Sequence, residues 1–277
     1  MSRILLCGAT SFVAAGFKEI LLNEGCCVDT FGRKNGNYLE IDKNQGLASE
    51  YDIVINFAVL KDQSIEENVK YLEALVKMCR EHKVKKLIHF SSIMVYNRYN
   101  NEINEHTAID SSKTTLMKGY GLIKIATDEY LNSIRNQVNF ELIQVRPGFV
   151  LAPGVPCPFI KHIVGPVNLI LGNSKSTMPI VRREDIHKAL LQIIKTENNL
   201  PVYLFYPNNG MTKYKYAKIS KKGIVLCLPK WLFERIPYLF AKMHLLSWSL
   251  YSRFEGMFTN MKYTSTETEK KLRIKFQ

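Results

Sequence analysis

No run of about 18 uncharged apolar residues occurs in this 277-residue sequence, so no helix is expected to span a membrane. The opening Met-Ser-Arg-Ile-Leu-Leu-Cys-Gly is too briefly apolar for a secretory signal and reads as a buried first strand. Cysteines stand at 7, 26, 27, 79, 157 and 227, without a Cys-x-x-Cys pair or an accompanying histidine cluster. A zinc site is therefore not expected, and reduced, mostly buried thiols of a cytoplasmic protein are. Acidic residues are scarce: 25 Asp or Glu face 38 Lys or Arg, a net +13. The shortage is greatest over residues 211–277, where 14 basic residues meet 4 acidic ones. Nucleic-acid binding would rest on that charge alone, since no recognition motif accompanies it. A solvated surface remains, or an attraction for acidic lipid or a phosphorylated substrate. No internal repeat and no low-complexity segment breaks the chain.

What is present is an alternation. Arg3–Gly8 reads as a buried strand ending in glycine, and Phe12–Asn23 as a helix stopped by Gly25. Strands are expected at Cys26–Phe31, Asp52–Phe57, Lys85–Ser91, Phe140–Arg146 and Val202–Tyr206. Helices are expected at Ile65–His82, around Tyr120 and at Glu184–Lys195. The strands are continuous apolar runs, as in strands covered on both faces. This predicts a doubly wound α/β fold with a parallel sheet, whose ligands bind at the carboxyl ends of the strands. Ser91, Ser92 and the loop from Gly8 lie at such ends. Prolines at 147, 153, 156 and 158 mark a change of texture, so residues 1–150, rejoined by about 180–207, are expected to form the main domain. Residues 151–179 and 208–277 would form a smaller substrate domain. The aromatic, amphipathic stretch Trp231–Trp248 is expected to pack on that domain, with weak peripheral membrane contact as the alternative.

The first turn, Cys7-Gly-Ala-Thr-Ser-Phe-Val-Ala-Ala-Gly16, joins a strand to a helix N-terminus, where a pyrophosphate can sit. A full glycine fingerprint would have Gly at 8, 11 and 14; here the residues are Gly8, Ser11 and Ala14. Gly8 can make the turn, the Ser11 hydroxyl can reach a phosphate oxygen, and Ala14 is small enough for close packing. Further on, Tyr120 and Lys124 are four residues apart, which stacks them on one helix face. A phenol is a poor base at neutral pH, and a nearby ammonium would lower its pKa, making the pair a proton-transfer device.

Taken together, Gly8-Ala-Thr-Ser-Phe-Val13, Asp52-Ile-Val-Ile-Asn-Phe-Ala58, Val84–Ser92, the Tyr-x-x-x-Lys of 120–124, Val145-Arg-Pro147 and Pro179–Ile186 resemble the extended short-chain dehydrogenase/reductases that act on nucleotide sugars, the epimerase/dehydratase group. The likeness runs from residue 3 to about 195. It implies a Rossmann domain with a smaller C-terminal substrate domain, an NAD(P) cofactor and a nucleotide-diphosphate sugar substrate. It also implies a homodimer joined through the helices at 65–82 and 115–136. Catalytic roles fall to Ser92, Tyr120 and Lys124. Cofactor contacts fall to Gly8, Ser11, Phe12, Val13, Arg33, Glu40, Ile41, Phe57, Ala58, Val59, Tyr120, Lys124, Pro147 and Val150. Arg33 stands where an acid would bind the ribose of NAD, so NADP is favoured.

Departures from the family pattern narrow the chemistry. The family's 4,6-dehydratases place Asp-Glu directly after the catalytic Ser or Thr; Ile93 and Met94 stand there and transfer no protons. Members that epimerise two centres use an added Cys–His pair near this loop; Met94 replaces the Cys, and His106 has no evident partner. What remains is 4-epimerisation or reduction of a 4-keto sugar, with a non-catalytic dinucleotide-binding sensor or scaffold of the same fold as the alternative.

Overall fold

The computed structural model describes residues 2–97, 100, 102–113, 118–153, 160–162, 167–170, 174–177, 179–220, 223–227, 230–247, 251 and 262–277. Cys157, the prolines at 156 and 158, and Trp248 lie outside them. The chain runs through β1 (Arg3–Cys7), α1 (Phe17–Asn23), β2 (Cys27–Phe31), β3 (Ile53–Asn56), α2 (Ile65–Glu81), β4 (Lys86–Phe90), β5 (Glu102–Ile103), α3 (Lys118–Ile134) and β6 (Glu141–Pro147). It continues through β7 (Phe149–Leu151), β8 (Ile160–His162), β9 (Val167–Ile170), β10 (Ile180–Arg182), α4 (Arg183–Lys195) and β11 (Val202–Phe205). The last elements are α5 (Lys213–Ser220), β12 (Ile224–Cys227), α6 (Lys230–Lys242), β13 (Lys262–Tyr263) and α7 (Thr266–Leu272).

Six strands form one parallel sheet in the order β2–β1–β3–β4–β6–β11. Their apolar runs are continuous because each face has its own helical cover. Ile4, Leu6, Ile55, Ile88 and Val145 point to the layer of α1 and α4, where Phe17, Leu21, Ile186 and Leu190 meet them. Leu5, Val54, Leu87 and Leu142 point the other way, toward Leu72, Leu75 and Val76 of α2 and Leu131 of α3. From β1 the chain moves to β2 on one side and to β3 on the other, so the carboxyl end of β1 is a topological switch point.

Local chemistry pins the elements to the sheet. Ser64 caps α2 and Glu67 returns the bond, a reciprocal capping box worth about 1 kcal/mol. Lys86, at the amino end of β4, is buried. Its ammonium donates to the carbonyls of Ile193 and Thr196 at 2.8 Å, ending α4 with a positive charge. Asp128 of α3 and Arg146 of β6 form a buried ion pair at 2.9 Å, and Arg146 also donates to the Tyr96 hydroxyl at 2.9 Å.

The first helix differs from expectation. It begins at Phe17 rather than Phe12, because Gly16 takes a left-handed φ of 84° and residues 8–16 form successive turns. Cys7 and Cys79 are buried, whereas Cys27 and Cys227 are exposed, so the thiols are less uniformly interior than their residue type suggests.

Outside the main sheet, β8, β9 and β12 make a three-stranded sheet with α5 packed on it. Of the 208–277 segment, the last part returns to the main body. β13 pairs with β5, the Thr268 hydroxyl accepts from Leu204 N at 3.0 Å, and Phe276 stacks on Phe205. No described helix is long and apolar enough to cross a membrane.

Candidate active site

A cleft of about 1030 Å³ opens at the carboxyl ends of the central strands. One wall is the turn after β1. Gly8 takes φ +74°, and a Cβ there would lie 2.8 Å from the Ala58 nitrogen, so only glycine lets this turn pass the end of β3. Ser11 caps a single turn: Ala14 N and Ala15 N reach its carbonyl at 3.1 and 3.0 Å, and its hydroxyl accepts from Ala14 N at 3.3 Å. Ala14 is buried in the core, which explains the small residue. The carbonyls of Phe12 and Val13 are met by Arg183 Nη1 at 3.3 Å and His187 Nε2 at 2.9 Å, so α4 steadies the turn from outside. Burial pushes the His187 pKa down, which favours the neutral ring in this role.

The floor is the segment after β3. Asn56 is buried, and its Oδ1 accepts from Ala58 N at 3.0 Å and from the Tyr71 hydroxyl at 2.8 Å. Asn68 of α2 donates to the carbonyls of Leu60 and Ser64 at 2.9 and 2.8 Å and accepts from Leu60 N at 2.9 Å. These two amides fix the path of Phe57, Ala58 and Val59, all of which line the cleft.

The opposite wall carries the chemistry. Ser92 follows β4, where its Oγ accepts from Met94 N at 3.2 Å, leaving its own O–H to donate elsewhere. Tyr120 and Lys124 face the same cleft from α3, with the Lys124 ammonium 5.7 Å from the Tyr120 ring centre. Lys124 is buried and donates to the Phe90 carbonyl.

The electrostatics correct one expectation. Lys124 does not bring the phenol down. Burial, reinforced by the Asp128 carboxylate, pushes Tyr120 up to about 12. Lys124 itself is pushed down to about 8 by burial, against the pull of Asp128 and with Lys61 adding to the fall. Desolvation is the largest cause of both shifts, and at Lys124 it outweighs the attraction of the Asp128 carboxylate. At neutral pH the pair is thus a neutral phenol beside a mostly charged ammonium.

Gly8, Ser11, Phe12, Val13, Arg33, Phe57, Ala58, Val59, Ser92, Tyr120, Lys124, Pro147 and Val150 all line this one cleft. Two expected contacts are not brought there. Ile41 is fully buried among the residues behind β1 and β3, and Glu40 is exposed and 3.8 Å from Lys43. Both lie in a 3₁₀ turn, Tyr38–Lys43, that strand counting did not reveal. His106 does have a partner, Glu267 at 3.0 Å, but on an exposed surface rather than in the cleft. Lys34, Tyr38, Lys61 and Asp62 line the cleft unforeseen. Lys34 could have been found as the second basic residue after β2; Tyr38 opens the short 3₁₀ turn, and Lys61 and Asp62 lie in the loop before α2, where no periodicity can be read.

Arg33 lies at the end of β2 and pairs with Asp62 at 3.2 Å, both well exposed. Asp29 is drawn off by Arg3 at 3.2 Å and by the Tyr51 hydroxyl at 3.0 Å, and does not line the cleft. Ile93 and Met94 line the cleft beside Ser92, where they offer no proton-transfer group.

A parallel doubly wound sheet, a glycine turn at its switch point and a Ser/Tyr/Lys wall across the cleft define a dinucleotide-binding protein of the short-chain dehydrogenase/reductase type. The chain belongs to the NAD dependent epimerase/dehydratase family, which it matches over residues 4–204. No curated protein matches the sequence. Among solved structures, it is similar to UDP-N-acetylglucosamine 4-epimerase from Bacillus cereus, at 16% identity and a TM-score of 0.69, over 100% of this chain and 94% of that one. It is similar to UDP-glucose 4-epimerase from Bifidobacterium longum in complex with NAD+ and UDP, at 15% identity and a TM-score of 0.65, over 100% and 94%. Human epimerase family protein SDR39U1 with NADPH is similar at 15% identity and a TM-score of 0.68, over 99% and 95%.

Proposed function

We propose that the protein is an NAD(P)-dependent enzyme acting at a carbinol or ketone of a nucleotide-diphosphate sugar, either a 4-epimerase or a 4-keto-sugar reductase. The observation that carries this reading is the convergence of Ser92, Tyr120 and Lys124 on one cleft opposite the Gly8 turn, with Ile93 and Met94 in place of an acid–base pair. The cleft suits a long ligand: about 1030 Å³ is at the upper end for small-molecule sites, and the lining runs from Arg33 past Phe57–Val59 to Tyr120. The 4-epimerases among the similar structures, one with UDP bound, support a UDP-sugar.

A nicotinamide bound there supplies the hydride acceptor and donor. The residues manage the proton. Tyr120, held neutral by burial, hands its proton to a ketone oxygen and recovers it from the carbinol in the reverse step. Lys124 places a positive charge beside the phenolate that forms transiently, and the Ser92 O–H donates to the same sugar oxygen. Arg33, paired there with Asp62, and Lys34 at the cleft's edge support NADP through its 2′-phosphate. A homodimer through α2 and α3, which pack side by side on one sheet face, belongs to the same proposal.

The test is incubation with UDP-, dTDP- and GDP-sugars and their 4-keto forms, with NAD and with NADPH. Epimer formation without net cofactor loss identifies the epimerase, and stoichiometric NADPH oxidation identifies the reductase. Cofactor binding without turnover of any of them would leave a sensor or scaffold.

A further inference from the structure

Over residues 235–247, the large apolar side chains Ile236, Leu239, Phe240, Met243 and Leu245 are exposed. Among the described side chains of α6, residues 235–242, the buried ones are small: Pro237 and Ala241, one turn apart. Ile236, Leu239, Phe240 and Met243 have the spacing of a single helical stripe. That stripe faces out, with its members 38%, 54%, 46% and 63% exposed. Helical bonding reaches the last of them, since Met243 N donates to the Leu239 carbonyl at 2.9 Å. Arg235 and Lys242, two turns apart, run alongside as an exposed basic row. The preceding elements share this character: Ile219, Ile224 and Leu226 are 72%, 62% and 48% exposed, with Lys215 and Lys218 also at the surface. Elsewhere among the described residues, Phe12 and Leu22 are the large apolar side chains so exposed.

The exposed row on α6, four large apolar side chains at one helical spacing, marks an interaction surface rather than scattered surface leucines. The charge identifies the partner. Residues 211–247 contain eight Lys or Arg and one acidic residue, Glu234. A second copy of the chain would bring an equally basic surface against this one, and like charges oppose such a contact. An apolar row flanked by basic side chains matches the boundary of a bilayer carrying anionic lipid, where the row enters the acyl region and the cations meet phosphate.

We propose that the exposed side chains of 214–219, 224–226 and 235–247, led by α6, dock peripherally on an anionic membrane surface. Flotation of the full chain with vesicles tests this, using phosphatidylcholine alone and an equimolar mixture with phosphatidylglycerol. Binding to the mixed vesicles is expected, weaker by about tenfold or more on phosphatidylcholine alone and reduced by salt. Leu239→Glu with Phe240→Glu should lower binding by about tenfold or more. Far-UV circular dichroism and the melting temperature should stay unchanged, because both side chains are exposed. Lys215→Glu with Lys218→Glu, which leaves the apolar row intact, should remove most of the preference for anionic vesicles. Absence of binding to both vesicle types overturns the proposal, as does equal binding by the Leu239/Phe240 variant. Concentration-dependent self-association abolished by that variant, without vesicle binding, would instead assign the surface to a second copy.

Discussion

The wall built from β4 and α3 holds all three residues expected for proton transfer, Ser92, Tyr120 and Lys124, whereas the turn facing it keeps one of three expected glycines. The difference follows from what each wall contributes. Proton transfer needs a titratable group at a particular atom, which restricts the side chains that such a wall can carry. Holding a diphosphate needs backbone N–H groups and room, which several sequences can provide. Ser11 caps its own turn, Ala14 fills a small core site, and Arg183 and His187 brace the loop from α4. The turn thus keeps its path with Ser11 and Ala14 in place of glycines.

The largest separation between the walls should come from Tyr120→Phe. Turnover is expected to fall by about 10³-fold while cofactor affinity, measured by fluorescence titration, changes less than about threefold. Undiminished turnover would remove the phenol from the mechanism. Lys124→Met should lower kcat by about 10²-fold and stabilise the ligand-free fold at pH 7 by about 1–3 kcal/mol, because a buried ammonium is lost. Its folded value of about 8 lies below the ordinary 10.5, so its charge opposes folding in full below pH 8. Between those values the native state sheds the proton first, and the stability gap between the two proteins should close by about pH 10.5. Thermal melts across this range check the sign, and a gap that widened with pH would contradict it.

On the turn, Gly8→Ala tests the one glycine that packing demands. Its Cβ would meet the Ala58 backbone, and the expected loss of about 2 kcal/mol is read by denaturant titration. Arg33→Ser should weaken NADPH by about tenfold and NADH by much less. The smallest effect is expected from Ser11→Gly: cofactor affinity should shift by less than about threefold. A large gain there would show that the serine impairs the turn.

Much of this was legible in the sequence because burial on both faces writes itself as unbroken apolar runs. The strands near 53, 86, 141 and 202 fall within a residue or two of expectation. The shared helix face of Tyr120 and Lys124 was legible because four-residue spacing fixes it, whereas Ser92 was reached through its place at a strand end and the family resemblance. The late start of α1 was not, since Phe12–Asn23 has helical spacing and only the backbone of Gly16 interrupts it. Nor was the pairing of β5 with β13: two-residue strands 160 positions apart have no period to detect. The raised phenol was hidden for another reason, because desolvation depends on the packed neighbourhood and not on sequence spacing.

The return of residues 262–277 to the body has a consequence for cleavage. Among the described residues, β5, Glu105, Leu204 and Phe205 hold them, and Asn208 donates to the Thr266 hydroxyl at 2.9 Å. A protease cut within 208–261 would therefore divide the polypeptide without dividing the particle. The nicked protein should elute as one species in gel filtration and run as two bands once denatured, which makes the site of the cut a natural place for splitting the protein into complementing halves.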